Sequence, residues 1–355
     1  MTGFDEIALL REMLERPSPS GHEAELAAHI LRRAVAVGLD GHIDPVGNVH
    51  VEVGSGEPHL IMLGHLDTVA GWWPVDADDQ SISARGVVDA KGSLAAFLCA
   101  AARLADDPPC RITVIGAVQE ETFGSLGARH VRAICRPDAV VIGEPSGWDG
   151  VTIGYKGCTA IEFWADSATA HGAAAERTAL ETAADVWHGI RTRCLALSAG
   201  RSAFDAWMPR LLDLSRQADG LNDTARLVVS VRTPRDEIEL SGVFAAACRD
   251  GTYRYLERTP AVLAAKDSVL ARALRVAIRR DGGTPVIKVK TGTSDMNVVA
   301  ESWKVPMCAY GPGDAALDHT PHERLSFDEY RRSIRILADA IRGWAQGLRK
   351  QEAAA

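Results

Sequence analysis

Apolar and polar positions alternate along the chain with two different periods. In "SGHEAELAAHILRRAVAVG" (20–38), Leu26, Ile30 and Ala34 recur at helical spacing, which predicts an amphipathic helix. Ser20 and Glu23 form a candidate capping box at its start, and Gly38 is its stop signal. Short apolar runs then alternate with helical stretches. Strands are predicted at "NVHVEV", "HLIML", "RITVIGAV" and "DAVVIG", and helices at "AKGSLAAFLCAAARLA" and "GSLGARHVRAI". Near-continuous apolar strands separated by helices indicate α/β architecture: a mostly parallel sheet covered on both faces, with antiparallel strands added by the N-terminal pieces.

The middle of the chain follows another rhythm. "VTIGYKGCTAIEFWAD" and "ARLVVSVRT" read as strands and "PRLLDLSRQ" as a weaker one. "TALETAADVWHGIRTRCLAL" and "PRDEIELSGVFAAACR" read as helices, with Pro234 in the first turn of the second. From "AAKDSVLARALRVAIRRDGG" onward the α/β rhythm resumes through "PVIKVK" and "VPMCAYG" to a last helix in "DEYRRSIRILADAIRGWAQGL", with "QEAAA" as a frayed tail. The simplest organisation is one domain of residues 1–154 and 264–355, interrupted by a smaller α+β domain of residues 155–263.

Composition narrows the function classes. The 355 residues are 46% hydrophobic and 24% charged, a globular profile. A formal net charge of −8 argues against a nucleic-acid partner. Seven scattered cysteines without a CxxC pair suit reduced thiols in a cytoplasm better than a disulfide framework. No run approaches the roughly 18 apolar residues that span a bilayer, and the charged N-terminal stretch has no signal-like core. A soluble, cytoplasmic protein is expected.

The polar residues at the ends of the apolar runs carry the chemistry. "LIMLGHLDTV" ends on His65 and Asp67, "ARGVVDAKG" supplies Asp89, "AVQEET" supplies Glu120 and Glu121, and "VVIGEPS" supplies Glu144. Far downstream, "GPGDAALDHTPHE" offers His319 and, three residues on, His322. Successive members in the first half lie about one βα unit apart, so each arrives at the carboxyl edge of a parallel sheet. Imidazoles and carboxylates gathered there form an oxygen and nitrogen cage suited to divalent zinc or cobalt. In a two-metal site one carboxylate must bridge. Adjacent glutamates leaving a strand point apart, so one serves as ligand and the other as base.

These segments resemble the dinuclear zinc aminoacylase/carboxypeptidase-like metallopeptidases, the group of acetylornithine deacetylase and succinyl-diaminopimelate desuccinylase. The likeness covers nearly the whole chain and rests on "GHLDTV", "GVVDAKG", "EE", "GEP", "GTSD" and "DHTPHE". "GHLDTVAGWWPV", "GVVDAKGSLAAF" and "YGPGDAALDHTP" resemble one branch most, the hydrolases that release lysine or ornithine from an amino-group carrier protein. The resemblance implies two divalent ions, with His65, Asp89 and Glu144 around one and Asp89, Glu121 and His319 around the other. Asp67 would orient His65, Glu120 would be the general base, and the Asp89–Ala90 peptide would be cis.

In the same way, His171 of the inserted lid and dimerisation domain is expected to reach the active site of a second subunit and donate to the oxyanion, which implies a homodimer. Arg232, Asn222 and the loop residues Gly292, Thr293 and Ser294 are expected to bind the substrate, Arg232 and the loop by taking its free carboxylate. The implied substrate is an amino-acid amide on a small acidic carrier; the alternatives are a deacylase of small N-acyl amino acids and a non-catalytic metal-binding homologue. Trp72 and Trp73 either wall a substrate channel or pack over the core. Lys288 and Lys290 share a strand face and either attract an acidic carrier or end an exposed strand.

Overall fold

A computed structural model describes residues 3–352 apart from 172, 174 and 236–239. The chain divides into two compact units, one of residues 1–154, 263–289 and 294–355, the other of residues 155–262 and 290–293.

In the first unit, four parallel strands form the middle of the sheet: Arg111–Ala117, His59–His65, Ala139–Ile142 and Met307–Ala309. Val49–Val53 and Asp40–Ile43 extend one side antiparallel, and Gly150–Tyr155 joins antiparallel on the other. The parallel strands are buried along almost their whole length, which is why they read as apolar runs rather than as alternating patterns. The helix Lys91–Leu104 is buried on nearly every side, as its alanine-rich, unbroken apolar sequence requires. The last helix, Phe327–Glu352, buries Tyr330, Ile334, Leu337, Ile341 and Trp344 at helical spacing, and it runs through Gln351 and Glu352 of the expected tail. Among the described residues no helix is long and apolar enough to cross a membrane. All seven cysteines are free.

In the second unit, an antiparallel sheet is ordered Met208–Ala218, Asn222–Thr233, Gly157–Ala168, Thr252–Thr259. Ile161, Phe163, Leu227 and Val229 cluster with Ala183, Val186 and Ile190 of the helix Ala179–Ser198 and with Phe244 of Ser241–Ala247. Helices thus cover one face. Met208–Ala218 is an edge strand, with Met208, Leu211 and Leu212 exposed.

Several local expectations are corrected. The predicted strand 151–166 is two strands in different sheets, Gly150–Tyr155 and Gly157–Ala168. Lys156 between them is buried, its Nζ donating to the carbonyls of Ala203 (3.0 Å) and Ala206. The helix expected over 234–249 is observed at Ser241–Ala247, and residues 236–239 after Pro234 lie outside the described residues. Ser20 and Glu23 make no capping box: the helix is Ala24–Ala36, Glu23 is its N-cap, and no side chain caps it. Gly38 does follow the helix in the left-handed region, at φ 82°. The helices Glu6–Leu14 and Asp295–Ala300 and the strand Thr252–Thr259 were not anticipated.

Candidate metal centre

His65 is the last residue of its strand and is in register with Ala117, the last residue of the neighbouring parallel strand. Glu120 and Glu121 therefore begin three residues beyond the same edge. Glu144 lies two residues past the end of Ala139–Ile142, and Asp89 stands just before the helix Lys91–Leu104. His319 comes from the loop after Met307–Ala309. Parallel strands running in register, with the loop that follows the last of them, thus bring His65 and His319, 254 positions apart, to one place.

Asp89 is the centre of the group. Its Oδ1 lies 3.2 Å from His65 Nε2, and its Oδ2 lies 3.0 Å from His319 Nε2. Glu144 Oε1 stands 4.0 Å from His65 on the first side, and Glu121 Oε1 stands 2.9 Å from His319 on the second. One donor atom each of His65, Asp89 and Glu121 falls within 4.8 Å of the others. The two downstream histidines are placed differently: His319 reaches Asp89 and Glu121, whereas His322 is exposed and its N–H bonds to Thr320 Oγ1. His319 adopts φ 62° and Gln119, just before the glutamate pair, φ 57°. Such left-handed conformations are uncommon for non-glycine residues and are enriched at functional sites. The Asp89–Ala90 peptide is cis.

Asp67 is fully buried and acts as a hub. Its Oδ1 accepts from the Glu120 N–H (3.0 Å), and its Oδ2 accepts from the Glu121 N–H (3.0 Å) and Ser20 Oγ (2.7 Å). The nearest partner of His65 Nδ1 is the Asp67 main-chain carbonyl at 2.9 Å, while the carboxylate is 3.6 Å away. Asp67 therefore orients the imidazole mainly through its backbone, and its side chain fixes the glutamate pair. Glu23 adds to this, its Oε1 accepting from the Gln119 N–H at 3.1 Å. The two residues read as a capping box are supports of the site loop.

The electrostatics follow from crowding. Burial pulls the His65 imidazole down, but Asp67 and Asp89 outweigh it and hold it well above its ordinary range. Bonds to Asp89 and Glu121 push His319 up to about 10. Burial raises Asp89, yet the two imidazoles overcome it and hold the carboxyl far down. Burial raises Glu120, with Glu144, Asp295 and Glu121 adding to it, and burial together with Asp89 raises Glu121. A donor set of imidazole nitrogens and carboxylate oxygens fits borderline divalent cations. The mutual repulsion of its carboxylates is the penalty such cations would remove.

The remaining candidates are placed as follows. His171 is exposed, its Nδ1 accepting from the Ala173 N–H at 3.2 Å. Arg232 donates to Thr293 Oγ1, and both belong to the second unit. Asn222 is exposed at the start of its strand, its N–H bonded to Asp219. A Cβ at Gly292 would meet no protein atom within 4 Å. Ser294 caps the helix Asp295–Ala300 in a capping box with Asn297. Trp73 packs under the Arg85 guanidinium at 4.9 Å. Trp72 is about half exposed and borders a small cavity of about 70 Å³ with Pro17 and Pro19. Lys288 donates to the Ser146 carbonyl at 2.6 Å and Lys290 lies over the Tyr155 ring.

The peptidase family M20/M25/M40 profile matches residues 61–343. The chain belongs to that family. A relative from Deinococcus radiodurans, named LysW-lysine hydrolase, is 42% identical over 349 residues, covering 94% of this chain and 95% of that protein. The M20 metallo-carboxypeptidase Sso-CP2 of Sulfolobus solfataricus shares the fold with a TM-score of 0.76 at 17% identity, over 97% of this chain and 100% of that one. The Bacillus subtilis protein YXEP, a dinuclear metal-binding M20 peptidase, gives 0.69 at 15% identity, over 95% and 96%.

Proposed function

We propose that this M20 protein is a dinuclear metal-dependent amide hydrolase that releases L-lysine, or L-ornithine, from the terminal glutamate side chain of a small acidic amino-group carrier protein. The observation that carries the chemistry is the two-sided placement of Asp89, one oxygen toward His65 and the other toward His319. The likeness to the LysW-lysine hydrolase supports the substrate.

His65, Asp89 and Glu144 would hold one ion, and Asp89, Glu121 and His319 the other; zinc suits these donors best, with cobalt the alternative. When bound, paired divalent cations supply Lewis acidity toward a carbonyl and lower the pKa of water. Glu120 takes the proton of the attacking water as its oxygen adds to the amide carbon. It then delivers that proton to the α-amino nitrogen as the C–N bond breaks. Arg232, Asn222, Gly292, Thr293 and Ser294 bind the substrate, with the planar guanidinium suited to its free carboxylate. His171 of a second copy donates to the oxyanion. The open edge strand Met208–Ala218, with its exposed leucines, supports a homodimer.

Two assays test the reading. Carrier-linked lysine is expected to turn over faster than N-acetylornithine; the reverse order makes the protein a small-molecule deacylase. Glu120→Gln is expected to keep its metal and lose about 10²–10⁴-fold in turnover; undiminished turnover removes Glu120 from its role.

A further inference from the structure

Arg85 and Glu323 form a buried ion pair across 238 positions of sequence, with Arg85 Nη1 2.6 Å from Glu323 Oε1. Glu323 is completely buried and Arg85 nearly so. What the pair holds is specific. Glu323 Oε2 accepts from the N–H groups of Val88 (3.0 Å) and Asp89 (3.3 Å), the backbone that aims the Asp89 carboxylate. Arg85 Nη1 donates to the Thr320 carbonyl at 3.2 Å, next to His319. Arg85 Nε donates to the Gly71 carbonyl at 3.1 Å, and the Trp73 ring lies against the guanidinium. Ser83 Oγ donates to the Glu323 carbonyl at 2.7 Å, tying the main chain at that end as well.

We infer that the Arg85–Glu323 pair is a positioning clasp that sets the spacing of the Asp89 arm against the His319 arm, and so the affinity for the ion those two arms share. The inference rests on the metal reading given under Proposed function. A guanidinium and a carboxylate each bind in a planar way from more than one atom. Here Arg85 Nη1 holds both Glu323 and Thr320, Arg85 Nε holds Gly71, and Glu323 Oε2 holds the Val88 and Asp89 amides, so the pair ties three separate segments of the site. His319 is half exposed and sits on a loop in a left-handed conformation. Its distance to Asp89 depends on what anchors that loop, and the anchors are Thr320 O and Glu323. Ion pairing alone would need none of the four main-chain contacts.

The test is metal binding by the whole, metal-stripped protein, titrated calorimetrically with zinc and spectroscopically with cobalt. Glu323→Gln is expected to weaken the shared ion about 10- to 100-fold and to alter the visible absorption of bound cobalt. Arg85→Lys, which keeps the charge but loses the fork, is expected to fall between this variant and wild type. Because Glu323→Gln leaves Arg85 buried without its counter-charge, Arg85→Met/Glu323→Gln is measured as well, and the same loss is expected. A merely structural pair would lower the melting temperature of the metal-free protein and leave ion affinity and the cobalt spectrum unchanged; that result overturns the clasp. A wild type that fails to take up paired ions overturns the dinuclear reading and the clasp together, so the two failures are told apart by the wild-type titration.

Discussion

Asp67→Asn is the most informative single perturbation, because it changes one buried atom and leaves the shape alone. The Asp67 carboxylate receives three donors: the N–H groups of Glu120 and Glu121, and the Ser20 hydroxyl. Burial pushes this carboxyl up, but its bonds with His65, Ser20 and Glu121 hold it below its ordinary range, so it is ionised at neutral pH. Asparagine retains one acceptor oxygen. Its amide nitrogen must then face an N–H or the hydroxyl, and one charge-assisted bond is exchanged for an unsatisfied buried donor. Bonds to charged acceptors contribute about 1.5–3 kcal/mol and orphaned buried donors cost about 1–3 kcal/mol; with the desolvation of the charge relieved, the net loss is about 2–4 kcal/mol. Ser20→Ala removes only the hydroxyl and should cost about 1 kcal/mol. Denaturant unfolding of the metal-free protein measures both. The same exchange frees the turn that carries Glu120, and a displacement on the order of 1 Å lowers turnover about a hundredfold. A variant within about 0.5 kcal/mol of wild type, the scatter of ordinary surface substitutions, and with unaltered turnover would show that Asp67 does not anchor the glutamate pair.

Two further outcomes follow from packing and titration. A Cβ at Gly311 would lie 2.0 Å from Ser93 Oγ and 2.9 Å from the Glu144 carbonyl, so Gly311→Ala should destabilise by about 1–3 kcal/mol, and Ser93→Gly in the same chain should restore part of it in denaturant melts. Burial lowers the Lys156 ammonium to about 8, against an ordinary value of 10.5. Between those two values the unfolded chain holds the proton that the folded chain has released, so stability should rise with pH across that window. The rise should vanish in Lys156→Met, and identical slopes in the two proteins would refute it.

Part of the candidate cage was legible in the sequence because His65, Glu121 and Glu144 stand at or just past the ends of apolar runs, whereas Asp89 and His319 lie in a turn and a loop. A buried parallel strand announces itself by composition, and its carboxyl end is where chemistry collects. His65, Asp89, Glu121, Glu144 and His319 needed only that rule and the resemblance to be named together. The supports were not legible. Ser20 and Glu23 satisfy a capping pattern four residues long, yet they bond to Asp67 and Gln119, 47 and 96 positions away. Glu323 was visible in "DHTPHE", but nothing local says that its carboxylate belongs to the Val88 and Asp89 amides.

The same division holds for the fold. Periodicity located the long helices and the buried strands, since it reports which side of each segment avoids water. It could not break 151–166 into strands of two different sheets, because both halves are largely buried and it is the bonding partners that differ. Nor could it assign residues 290–293 to the second unit. Sequence by itself determined which segments hide from water and which polar groups stand at their ends. Tertiary structure alone decided which hydrogen bonds those groups make, because a buried donor takes whichever acceptor the topology brings within reach, however far away it lies along the chain.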